Sequence, residues 1–80
     1  MKELLEKVLD TIYHYKTYHN WYCYGNVEEH DTYVSFEVYG HSDQGEGADW
    51  TECWSIDSAG KIYSEDTVWN CFEDFLTEWT

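Results

Sequence analysis

The sequence predicts an α+β domain in the order helix, three-stranded antiparallel sheet, helix (α-β-β-β-α), with both helices packed on one sheet face. Three observations predict it. Apolar residues recur in three- and four-residue steps over 2–19, they alternate with polar ones over 32–39 and 49–56, and helical spacing returns after residue 64.

The first helix carries Leu5, Val8, Leu9, Ile12 and Tyr15 on one stripe, widened by Leu4 and Tyr13. Lys2–Glu6 and Glu3–Lys7 are (i, i+4) pairs on its outer side, and it is expected to fray before Asn20. Residues 21–27 (WYCYGNV) read either as a short strand or as an aromatic connector, with a turn signal at Gly25-Asn26. Over 32–39, Val34, Phe36 and Val38 alternate with Tyr33, Ser35, Glu37 and Tyr39, so the first set faces the core and the second faces water or a partner. Residues 40–48 (GHSDQGEGA) hold three of the five glycines and predict a loop. Over 49–56, Trp50, Trp54 and Ile56 share a side that Glu52 interrupts, which points to a bulge near Glu52–Cys53. Asp57-Ser58-Ala59-Gly60 predicts a tight hairpin with Gly60 left-handed, leading to a third strand at 61–64. Ser64 or Asp66 then caps a helix whose stripe is Val68, Phe72, Phe75, Leu76 and Trp79. One domain accounts for residues 1–80.

Charge is the strongest compositional signal. Seventeen acids face four lysines and no arginine, a net charge of -13. Residues 1–16 are balanced, three Lys against three acids, so the whole excess lies in 17–80. Between Thr17 and Gly60 nine acids stand without a single Lys or Arg. Such a field repels nucleic acid and anionic lipid and attracts cationic surfaces. Acidity that merely confers solubility, or marks a halophile, is the plain alternative; the balanced first helix favours a polarised binding face. An aromatic content of 20% argues against disorder.

The N-terminal segment is too charged for a secretory signal, and no run is long enough to span a membrane. Three cysteines without CxxC spacing then predict reduced thiols in a cytoplasmic protein, with Cys53 and Cys71 as core residues. No phosphate-binding glycine motif, GxSxG or zinc spacing appears, so neither an enzyme nor a cofactor is expected. The carboxylates at 43, 46, 49 and 52 loosely suggest calcium but lack the EF-hand pattern.

The expected site is the acidic sheet and loop: Glu28, Glu29, Asp31, Glu37, Asp43, Glu46, Asp49 and Glu52, with Tyr39 and Trp50, and Tyr33 beside them, as aromatic anchors. Alternate strand residues lie roughly 6.6–6.8 Å apart. A nucleic-acid strand carries one phosphate per roughly 3.4 Å of axis. A rigid row of carboxylates can therefore meet the Lys and Arg groups that grip phosphates.

In size, in the lysine-free stretch Thr17–Gly60 and in the glycine-acid loop GHSDQGEGAD, the chain resembles small acidic phage anti-CRISPR and other DNA-mimic anti-defence proteins. The resemblance implies occupation of a DNA-binding cleft on a basic nuclease effector, with no direct contact to nucleic acid or membrane. It also resembles immunity proteins that plug basic toxin nucleases, in which Glu73, Asp74, Glu78 and Trp69 would form the contact. A metal-binding protein and a homodimer built on surplus Trp and Tyr are the remaining alternatives.

Overall fold

The computed structural model describes residues 2–43 and 49–80. α1 (Lys2–His14) turns Leu5, Val8, Leu9 and Ile12 inward, the i, i+3, i+4, i+7 set that its periodicity demands. It stops at His14 rather than continuing to residue 19 because a local turn competes. Thr17 donates its N–H to the Asn20 carbonyl (3.0 Å), and its Oγ1 accepts the Asn20 N–H (3.1 Å). An isolated bridge between Lys16 and Trp21 closes this turn.

The strands that follow are β1 (Asn20–Glu29), β2 (Tyr33–Ser42), β3 (Trp50–Asp57), β4 (Ile62–Tyr63) and β5 (Val68–Trp69), before α2 (Phe72–Glu78). The sheet has five strands, not three, in the order β1-β2-β3-β4-β5, and every neighbouring pair is antiparallel. Both added strands have a physical reason. In β1, Tyr22 and Tyr24 point one way and Trp21 and Cys23 the other, so both sides are apolar and no alternation shows in the sequence. In β5, Trp69 is buried opposite Ile62 while Val68, opposite Tyr63, is exposed, a strand alternation inside what reads as a helical stripe. Ser64 and Asp66 build the β4–β5 turn instead of capping a helix. The Ser64 hydroxyl accepts the Thr67 N–H (3.1 Å), and Asp66 accepts the Thr67 hydroxyl (3.1 Å). α2 starts later, after Cys71, which makes no side-chain cap.

β2 runs on through Gly40, His41 and Ser42, which the sequence assigns to the loop. Its register with β3 is unbroken from Tyr33↔Asp57 to Gly40↔Trp50, so no bulge lies at Glu52–Cys53. The bulge is in β1, between Gly25 and Glu28, and Asn26 adopts the left-handed region there (φ 50°). Gly60 (φ 89°) closes the β3–β4 turn as its sequence predicts.

One sheet face carries the core. Val34, Phe36 and Val38 of β2 and Trp54 and Ile56 of β3 meet the α1 stripe, Ile62, Trp69 and Phe75. Trp54 sits at the centre, its ring 5.3 Å from Trp69, 6.0 Å from Phe75 and 5.2 Å from Trp79. Burial of each such side chain contributes about 1.5–3 kcal/mol, so α2, although short, holds its place through two aromatic rings. Trp50 lies across the Gly40 backbone so closely that a Cβ there would stand 2.2 Å from the indole. Gly40 is the space that ring occupies.

Candidate functional site

Both helices pack on the core face, and no described helix covers the other. The register assembles that open face in rows. Trp21 stands beside His41, Cys23 beside Tyr39 and Thr51, Gly25 beside Glu37 and Cys53, and Tyr33 beside Asp57. Glu28, Ser35, Ser55 and Tyr63 form a further row.

Local chemistry fixes several of these groups. The Tyr39 ring spans the gap above Gly25, where a Cβ would come within 3.1 Å of it. Its hydroxyl donates to Glu37 Oε1 (3.0 Å), and the Asn26 amide, aimed by the bulge, donates to the same oxygen. The Glu37 hydrogen bond holds the Tyr39 hydroxyl above its ordinary pKa. At the other side of the face, Tyr63 donates its hydroxyl to Asp57 Oδ2 (2.7 Å), while Asp57 Oδ1 accepts the N–H groups of Ala59 (2.9 Å) and Lys61 (3.0 Å). These donors push the Asp57 carboxyl below its usual range, and the hydrogen bond to the Asp57 carboxylate raises the Tyr63 phenol. Trp21 stacks on His41, with centroids 5.7 Å apart and 18° between planes.

The expected acidic constellation is not brought together as one row. Glu28, Glu37 and Tyr39 share the open face, but Glu29, opposite Val34, falls on the other side. Glu52 is opposite the buried Val38 and therefore on the core side, as is Trp50 opposite Gly40. Glu52 accepts the indole N–H of Trp50 and of Trp54, each at 3.2 Å, so it serves the packing of two tryptophans. The pattern Trp-x-Glu-x-Trp on one side of a strand was the signal for this. Asp31 sits in the β1–β2 turn, whereas Asp43 and Asp49 lie at the opposite end of β2. A ten-residue strand spans about 33 Å, most of the molecule's 39 Å long axis. Asp43 meets His19 (2.8 Å) and Asp49 meets His41 (3.3 Å). Glu46 lies outside the described residues.

Two further expectations change. Cys53, expected in the core, is exposed on the open face, because β3 alternates and Trp54 takes the inward position. Trp69 is 6% exposed beneath Phe75, so it cannot anchor a surface with Glu73, Asp74 and Glu78. All three cysteines are free thiols. Among the described residues, no group of three or more His, Cys, Asp or Glu gathers at metal-binding distance, and no helix is long and apolar enough to cross a membrane. The grouping of Trp21, Cys23 and His41 depends on a strand pairing that the sequence leaves open, so their spacing in the chain does not reveal it.

Fold and face together define a small α+β protein, a one-sided antiparallel meander with a helical lid on one face and an open aromatic-acidic surface on the other. Compared with family models, curated proteins and solved structures, the chain matches none.

Proposed function

We propose that the protein acts by docking its open sheet face against a strongly basic surface of a protein partner, of the kind that normally grips nucleic acid. The observation that carries this is the make-up of the face. It presents Glu28, Glu37 and Asp57 among Trp21, Tyr33 and Tyr39, while β1, β2 and β3 contribute no Lys or Arg. Carboxylates that are already hydrogen-bonded, such as Glu37 and Asp57, need little further ordering when a cation arrives. Half-exposed aromatic rings between them supply anchoring area. The excess negative charge steers a basic partner in and keeps nucleic acid out. A nuclease effector of a defence system is the narrower form of the proposal, a toxin nuclease the alternative.

The test is binding to a panel of purified basic nucleases at two salt concentrations, with and without competing DNA. Binding is expected to weaken by about tenfold or more from low to high salt and to exclude DNA. The double reversal Glu28→Lys with Glu37→Lys is expected to abolish it. Reversal of Glu73, Asp74 and Glu78 in α2 is expected to leave it. If the helix variant loses binding and the open-face variant retains it, the surface is wrong.

A further inference from the structure

At one end of the open face, three side chains from three chain segments stand in line. The Cys23 thiol points to His41 Nε2 at 3.6 Å, and His41 Nδ1 lies 3.3 Å from Asp49 Oδ1. His41 Nδ1 lies within ion-pair distance of Asp49 Oδ1, and in the tautomer that carries its proton on Nδ1 the Nε2 lone pair faces the thiol. That is the arrangement of nucleophile, base and orienting carboxylate. The two ring nitrogens diverge, so Cys23 and Asp49 cannot share a metal ion through this imidazole.

The fold holds this line in place. Trp21 and His41 are register partners and stack, which fixes the plane of the imidazole. Cys23 is the next outward-facing residue of β1, diagonal to His41. Beside the thiol opens a cavity of about 490 Å³ lined by Cys23, His41, Trp21, Tyr22, Tyr13 and Lys16, among others. Three of these walls are aromatic, and the volume is in the range of small-molecule sites.

We propose that Cys23 is a nucleophilic thiol, with His41 as its general base and Asp49 as the positioning residue, and that it accepts an acyl group from a small uncharged aroyl thioester. His41 Nε2 takes the Cys23 proton and the thiolate attacks the thioester carbonyl. The donor's carbon–sulfur bond breaks, and its sulfur leaves with the proton from His41. One thioester is consumed and one is formed on Cys23, so the exchange needs no oxidant or reductant. Because the bond broken and the bond made are of one type, the exchange is close to thermoneutral. The reaction stands apart from docking on a basic partner and does not require one.

The experiment is incubation of the protein with S-benzoyl-N-acetylcysteamine, followed by intact mass and peptide mapping. One benzoyl group per chain is expected on Cys23, acquired roughly 100-fold faster than on Cys53. Cys53 is the more exposed thiol on the same face, so exposure alone would reverse that order. His41→Asn is expected to slow Cys23 by about 100-fold while Cys53 keeps its rate, which also reports that the sheet is intact. Asp49→Asn is expected to slow Cys23, and Asp49→Glu to restore it. Equal labelling of Cys23 and Cys53 in the native chain, or a Cys23 rate that survives His41→Asn, overturns the proposal.

Discussion

The buried indoles differ in what their N–H groups meet. Trp54 donates to Glu52, whereas the Trp69 Nε1 is buried without an acceptor among the described residues. Replacing either by Phe removes similar area, but only Trp54→Phe deprives a half-buried carboxylate of a donor. Removing an unpaired donor relieves a desolvation cost of about 1–3 kcal/mol. Trp54→Phe is therefore expected to destabilise by about 1–2 kcal/mol more than Trp69→Phe in urea unfolding. Gly40→Ala drives a methyl into the Trp50 ring and is expected to cost about 1–3 kcal/mol by the same measurement. At this scale the sequence exposed Glu52 as an anomaly in an apolar set but not its cause. A carboxylate that bridges two indoles is a pairwise relation, and periodicity carries none of it.

Hairpin chemistry sets the pH response of the elements. Tyr63 and then the Lys61 N–H favour the charged form of Asp57 and hold its carboxyl low. The folded chain gives up this proton more readily than the unfolded chain. The resulting stability is complete above about pH 3.9 and is lost as pH falls through the folded value. Tyr63 and Tyr39 run the other way, both raised by carboxylate acceptors. Their contribution is complete below about pH 10 and is lost as pH rises through the folded values. Asp57→Asn is expected to flatten the acid limb, and part of the alkaline limb, of a melting-temperature profile followed by circular dichroism. In the β1 bulge, Asn26→Ala loses the bond to Glu37 and keeps the left-handed backbone. It is expected to destabilise by about 1–2 kcal/mol. The β2 and β3 strands and the Gly60 turn were legible because one side of each strand is apolar. β1 and β5 were not, because tyrosine and tryptophan occupy both sides of one and a two-residue strand is too short for any period to register.

The whole molecule carries thirteen net negatives on 80 residues. Self-repulsion on that scale opposes compaction and is screened by salt. The melting temperature is expected to rise with sodium chloride, and a fall would show that attractive ion pairs outweigh the general field. Total charge was legible in the sequence. Its division between two faces and two ends of a hairpin was not, since that depends on which strand pairs with which. The meander has one more consequence. Each strand's partner is its neighbour in the chain, so the sheet can close strand upon strand. Trp54, however, keeps an uncovered flank until Phe75 and Trp79 dock on it. A chain truncated before Phe72 should therefore bind a hydrophobic dye, and restoring residues 72–80 should end that binding.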